Sequence, residues 1–169
     1  MTLRRAPRSL SRRNKEVGGV ADPMAAHAAA IALLARRDLP AGELRERLRA
    51  RGFGPEAVAA ALTLLAEEGA VNDERYVHNY VAHHAGRGQG PIRIAAQLRT
   101  LGLPQPLIDA AMEAVADWPA LAAAARVRRF GAPAPASWRE KARQARFLQY
   151  RGFSADHIRV ATGAAPEMD

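Results

Sequence analysis

Three stretches of this chain carry the same residues at the same spacing, fifty positions apart. Leu48, Gly52 and Phe53 return as Leu98, Gly102 and Leu103, and again as Leu148, Gly152 and Phe153. Val58 returns as Ile108 and Ile158, and Ala61 as Ala111 and Ala161. Leu44 matches Ile94, where the third copy has Gln144. Arg51 matches Arg151, where the second copy has Leu101. Self-similarity at a fixed period marks a chain assembled from tandem structural units.

Each recurring position has a physical reading. Leu followed four residues later by Gly is a helix end, with Gly at C′ where φ is positive. The apolar residue after the Gly can pack back on the last turn, as in a Schellman closure. A second helix follows. Pro55 and Pro104 suit a first turn, and Ser154 is a good N-cap. Val58, Ala61, Leu62 and Leu65 then recur at helical spacing, matched by Leu107, Ile108, Ala111, Met112 and Val115.

An earlier helix opens each unit. The first is expected over about 25–37, with Ile31 and Leu34 buried, ending before Pro40. The second is expected over about 73–85, with Asn72 as N-cap, Asp73 and Glu74 in its first turn, and Tyr76, Val77, Tyr80 and Val81 on its apolar face. The third is expected over about 118–130, carrying Leu121, Ala125 and Val127. Aromatics are only 5% of residues, so Ala and Leu must supply the core, which favours helix over strand. No segment shows sustained strand alternation. The chain is therefore expected to be all-α: three tandem three-helix repeats at 25–70, 71–116 and 117–162, forming an elongated, curved array. One compact bundle is the alternative. Residues 1–24 are expected to be a basic disordered tail and 163–169 a disordered end.

The charge is unevenly placed. The whole chain is +8. Residues 1–20 hold six Lys/Arg against Glu16, and residues 118–160 hold nine against Glu140 and Asp156, while the middle is balanced. Only Lys15 and Lys141 are lysines. Arginine's planar fork suits carboxylate and phosphate partners, although a composition biased towards Ala and Arg would give the same ratio. The longest apolar stretch, 28–35, is far short of the roughly 20 residues that cross a bilayer. The N-terminus lacks an apolar h-region, so no secretory signal is read there; a disordered basic tail is preferred over a transit peptide. With no cysteine, disulfides and thiolate chemistry are excluded.

Candidate chemical groups read mostly as structure. His78, His83 and His84 lack the i, i+4 spacing of a helical metal pair. Glu67, Glu68, Asp73 and Glu74 flank Gly69 and fit a helix end, a turn and a helix start. Gly86-Arg87-Gly88-Gln89-Gly90-Pro91 is neither a Walker loop nor a dinucleotide fingerprint. It reads as a flexible link, with Gly90 and Pro91 setting the next helix and Arg87 and Arg93 available for contacts. No motif supports an enzyme. The basic residues instead point to a polyanionic or acidic partner. Arg45 and Arg49 share a helix face, as do Arg139, Arg143 and Arg146. Arg126, Arg128, Arg129, Lys141, Arg151 and Arg159 crowd the third unit. No helix offers a residue set specific enough for base reading.

Several of these stretches resemble the bacterial RecX family, regulators of the RecA recombinase. The 32–37 stretch Ala-Leu-Leu-Ala-Arg-Arg with Glu43, Leu44 and Leu48 is similar to the family's opening helix pair. The 65–76 stretch Leu-Ala-Glu-Glu-Gly-Ala-Val-Asn-Asp-Glu-Arg-Tyr resembles its junction. Gly88-Gln89-Gly90-Pro91 with Arg93, Ile94 and Leu98 resembles its second-unit motif, and Lys141, Ala142, Phe147, Leu148 and the 151–154 stretch Arg-Gly-Phe-Ser its third. The resemblance covers about 25–162. Gln89 stands where many relatives have an aromatic, and Gln144 interrupts the apolar pattern of the third unit.

The resemblance implies tandem three-helix repeats and a non-enzymatic protein without cofactors. It implies binding to RecA and its filament along the groove, inhibition of ATPase, strand exchange and coprotease activities, weak DNA binding, and a cytoplasmic setting in DNA repair and the SOS response. A stand-alone helical DNA-binding module is the alternative. No catalytic, cofactor or metal residue is expected, and a monomer is the default. The expected partner contacts are Arg45, Arg49, Arg87, Arg93, Arg143, Arg146 and Arg151.

Overall fold

The computed structural model describes residues 20–115 and 117–163. Among them are nine helices: α1 (Pro23–Leu34), α2 (Ala41–Ala50), α3 (Pro55–Glu67), α4 (Asp73–Gly86), α5 (Pro91–Thr100), α6 (Gln105–Glu113), α7 (Trp118–Phe130), α8 (Trp138–Arg151) and α9 (Ala155–Thr162). Every extensive helix–helix packing falls within α1–α3, α4–α6 or α7–α9. Three main cores result, centred on Leu44, Leu48 and Leu65, on Ile94, Leu98 and Ile108, and on Leu148 and Phe153, with Trp118 and Leu121 packing against both the second and the third. The array of three-helix units is the architecture the repeat predicts.

The middle helix of each unit closes as the sequence suggests. Gly52, Gly102 and Gly152 have φ of +91°, +75° and +93°. The amides of Phe53, Leu103 and Phe153 donate to the carbonyls of Leu48, Leu98 and Leu148, and each Gly amide donates three residues back. That pair of bonds is a Schellman closure, which satisfies carbonyls a helix end would leave orphaned. Helix starts are equally local. Asp22, Asn72, Asp117 and Ser137 cap α1, α4, α7 and α8, and Ser154 forms a capping box with His157 on α9. Pro104 is the N-cap of α6 rather than a first-turn residue.

Two large apolar residues turn outward for one reason, against the burial expected of Ile31. Ile31 is 41% exposed and Val127 40% exposed, while Ala26, Ala30, Ala122 and Ala125 are buried. Both helices pack through alanines, α1 against Ala57 and Ala61 and α7 against the α9 face that carries Ala161. Small side chains let helix axes approach closely, and the larger residues turn outward. Helix α1 also stops at Leu34, earlier than expected. Of the expected 1–24 tail, residues 1–19 lie outside the described residues. Val20 and the start of α1 do not belong to a tail: the Val20 amide donates to the Gly52 carbonyl at 2.8 Å and its carbonyl accepts from Gly54 at 3.1 Å. Residues 164–169 also lie outside the description.

Gln144 has a structural purpose. Arg126 is 7% exposed and Gln144 5%. The Arg126 guanidinium donates to the carbonyls of Pro133 (2.9 Å) and Ala132 (3.2 Å) and, at 3.4 Å, to Gln144 Oε1. The apolar pattern breaks in the third unit because this helix faces a buried arginine that ties down the α7–α8 connection. Two of the carboxylates around Gly69 are likewise structural: Glu68 meets His27 at 2.9 Å, and Asp73 Oδ1 accepts the Ala41 amide at 2.8 Å, joining the first unit to the second.

Candidate arginine cleft

The second and third units meet backbone to backbone. The Gly90 amide donates to the Arg151 carbonyl at 2.8 Å, and the Ile92 amide to the Gly152 carbonyl at 3.1 Å. A Cβ on Gly90 would lie 2.3 Å from the Gly152 carbonyl carbon and oxygen; one on Gly152 would lie 2.4 Å from Arg93 Cβ. Only glycine permits this approach on either side. The Arg151 guanidinium reaches back across the joint, donating to the Gly88 carbonyl at 2.8 Å and to the Arg87 carbonyl. The glycine-rich connection is therefore pinned at both ends and is not the flexible link expected.

Pinning this connection sets Arg87 against the C-terminal turn of α7. Two adjoining hollows of about 250 and 440 Å³ follow, sharing Arg129 and Phe147. Arg87, Arg128, Arg129, Arg143 and Arg151 stand around them, over a floor of Ala125, Phe130 and Phe147. Phe130 and Phe147 pack edge to face at 5.3 Å. The guanidinium carbons of Arg143 and Arg129 lie 5.3 and 5.6 Å from the Phe130 ring centroid. Such cation–π contacts, worth about 0.5–1 kcal/mol at exposed sites, hold the planar forks in place.

None of these arginines pairs with a carboxylate among the described residues, whereas in the first unit Arg37 and Arg47 share Glu43 and Arg49 reaches Glu46. Arg128 and Arg129 also complement the negative end of α7, but that duty leaves their forks available to a partner. No lining residue is a carboxylate, imidazole or hydroxyl. The cleft offers charge, planar donors and apolar floor, which suits binding an anionic group and not acid–base chemistry.

The expected contact residues divide accordingly. Arg87, Arg143 and Arg151 come together in the cleft. Arg151 spends its donors on the joint and acts mainly as a strut. Arg93 lies at the same joint, its guanidinium 5.6 Å from the Tyr150 ring centroid. Arg146 is exposed on α8 and lines neither hollow, and Arg45 and Arg49 lie apart on α2. The missed members are Arg128, Arg129, Phe130 and Phe147. Their signal was a basic pair at a helix end beside an aromatic, but no spacing rule places that helix end opposite residue 87.

Elsewhere, Arg37, Tyr76, Asn79, Tyr80, His83 and His84 border a groove between the first and second units. Burial, with His83 nearby, holds the His84 pKa below the usual histidine value. No helix among the described residues is long and apolar enough to cross a membrane.

Fold and cleft define a tandem three-helix-repeat protein with an arginine-lined cleft. Three family descriptions match it in chain order: the first three-helix domain of RecX at 26–65, the second at 72–112 and the third at 119–161. The regulatory protein RecX of Halorhodospira halophila is 49% identical over 142 residues, covering 83% of this chain and 88% of that protein. RecX of Pseudomonas savastanoi pv. phaseolicola is 41% identical over 137 residues, covering 80% and 88%. The crystal structure of RecX from Lactobacillus salivarius superposes with a TM-score of 0.72 at 20% identity, covering 83% of this chain and 94% of that one. The chain belongs to the RecX family of regulatory proteins.

Proposed function

We propose that this protein is a non-enzymatic regulator that binds the RecA recombinase and its filament, and inhibits ATP hydrolysis, strand exchange and coprotease activity. The observation that carries the reading is the ordered match of all three units to the RecX domains. The structure adds a physical means. Three units in a row present separate contact surfaces on one body, so weak contacts gain through effective concentration. The arginine cleft supplies a salt-sensitive anchor for acidic groups. Docking lengthwise would obstruct the filament without chemistry by this chain. The reading places the protein in the cytoplasm, in recombinational repair and the SOS response, acting as a monomer.

The test is ATP hydrolysis by a RecA filament on single-stranded DNA with increasing amounts of the protein. The expected result is saturable inhibition that weakens as salt rises. Unchanged hydrolysis at saturation refutes the reading. DNA binding without recombinase separates the alternative: tight, sequence-dependent binding near physiological salt would make this a stand-alone DNA-binding module, whereas weak, strongly salt-dependent binding fits the regulator.

A further inference from the structure

Gathering like charges costs free energy, and the arginine cleft gathers several. Arg143 and Arg129 bring their guanidinium groups to one ring, that of Phe130, at 5.3 and 5.6 Å from its centroid. Arg87 and Arg128 border the adjoining hollow. Among the described residues no carboxylate pairs with any of these four, and none lines either hollow. A further cation lies close by. Arg126, next in the chain to the floor residue Ala125, is buried, and its hydrogen bonds go to two carbonyls and a side-chain amide. Solvent and salt screen the exposed charges, but a buried one is screened far less. A concave surface lined by one sign of charge concentrates counter-ions.

The cleft walls are drawn close by packing. Gly88 has φ +77°, and a Cβ there would lie 3.2 Å from Ala125 Cβ, so the wall that carries Arg87 sits directly on α7. Arg151 ties the same wall by donating to the Gly88 and Arg87 carbonyls. The two hollows, of about 250 and 440 Å³, have the size of small-ligand sites. They share Arg129 and Phe147, so one ligand can enter both. The counter-ion that fits is compact and multiply charged. A carboxylate brings one charge and engages one fork. A run of linked phosphates brings several charges in a row, and its oxygens accept guanidinium forks bidentately. No lining carboxylate is there to repel such a chain.

We propose that the cleft binds a chain of three or more phosphates, either inorganic polyphosphate or the phosphate end of a nucleotide, held by Arg87, Arg128, Arg129 and Arg143. The assignment stands apart from the recombinase reading, because its test contains no recombinase. The full chain is titrated calorimetrically with sodium tripolyphosphate, orthophosphate and ATP at one ionic strength, and the side-chain Nε–H signals of nitrogen-labelled arginine are followed by NMR. The expected result is one tripolyphosphate per chain, bound about tenfold or more tighter than orthophosphate, with the Arg129 and Arg143 signals shifted. Arg129→Ala combined with Arg143→Ala should weaken binding about tenfold or more, and Arg45→Ala combined with Arg49→Ala should leave it unchanged. ATP binding more tightly than tripolyphosphate identifies a nucleotide as the source; ATP binding equally or less tightly identifies inorganic polyphosphate. Absence of saturable binding overturns the proposal, as does an equal loss in the Arg45 and Arg49 variant. A single-stranded oligonucleotide that shifts the same arginine signals and resists displacement by excess tripolyphosphate also overturns it, because the occupant would then be a nucleic-acid backbone.

Discussion

Replacing Gly90 by Ala isolates the joint between the second and third units. Gly90 has φ −88°, a conformation alanine adopts freely. On backbone grounds alone the substitution would be neutral, or stabilising by about 0.4–1 kcal/mol through the unfolded chain. The new methyl, however, would sit 2.3 Å from the Gly152 carbonyl and 2.4 Å from the Phe153 nitrogen. These are backbone atoms inside a Schellman closure and cannot swing aside. The joint must open, forfeiting the Gly90–Arg151 and Ile92–Gly152 bonds and weakening those of the Arg151 guanidinium. At about 0.5–1.5 kcal/mol net per bond, the loss is roughly 2–4 kcal/mol. Gly52→Ala is the control. Its φ is +91° with nothing within 4 Å of the added carbon, so it bears only the left-handed cost of about 1–2 kcal/mol. The assay is amide hydrogen exchange read residue by residue, since a chain of three repeat units need not unfold as one. Gly90→Ala should expose the Ile92 amide while leaving the core amides of α5 and α8 protected. Wild-type protection at Ile92, with unchanged stability, would refute the reasoning.

Arg128→Ala, Arg129→Ala and Arg143→Ala combined should leave the fold intact and weaken filament binding about tenfold or more, at up to ~1 kcal/mol per exposed contact; Arg45→Ala with Arg49→Ala is the comparison, and an equal loss there would remove the cleft's special status. Gln144→Leu should destabilise the third unit by about 1–3 kcal/mol, because it strips an acceptor from buried Arg126; a urea midpoint equal to wild type would contradict that role. His84 titrates lower in the folded chain than its unfolded value of about 6.5. Its contribution is therefore full above that pH and is lost as pH falls through the folded value. His84→Gln should flatten this part of the stability profile, and an unaltered slope would assign it to another group.

Much of the fold could be read from the chain because its constraints are local. Gly52, Gly102 and Gly152 each need a positive φ, and an apolar residue after each completes the closure. The outward turn of Ile31 was not legible. Helix α1 reads Pro-Met-Ala-Ala-His-Ala-Ala-Ala-Ile-Ala-Leu-Leu, apolar nearly all round, so no periodicity selects a face. Close packing of alanines chose it instead. The cleft was half legible for a related reason. Composition located the arginines, but their convergence depends on Gly90 meeting Gly152 from sixty-two residues away, and Gly90 alone looks like any residue before a helix-starting proline.

The fifty-residue period ties these observations together. A glycine turn closing a helix satisfies some carbonyls and turns others outward. In the first unit the outward carbonyl of Gly52 is taken by Val20, and in the third those of Arg151 and Gly152 are taken by Gly90 and Ile92. The same turn that ends each middle helix is thus the surface on which the preceding segment docks. The two joints differ in tightness. Gly42 leaves 3.5 Å to the Leu101 carbonyl, enough for an ordinary side-chain contact, whereas Gly90 leaves no room at all. The first unit is tied to the second through the Asp73–Ala41 bond, and the second and third are locked by backbone. The arginine cleft is built across the locked joint, so the backbone bonds of Gly90 and Ile92 to Arg151 and Gly152 hold its two walls together.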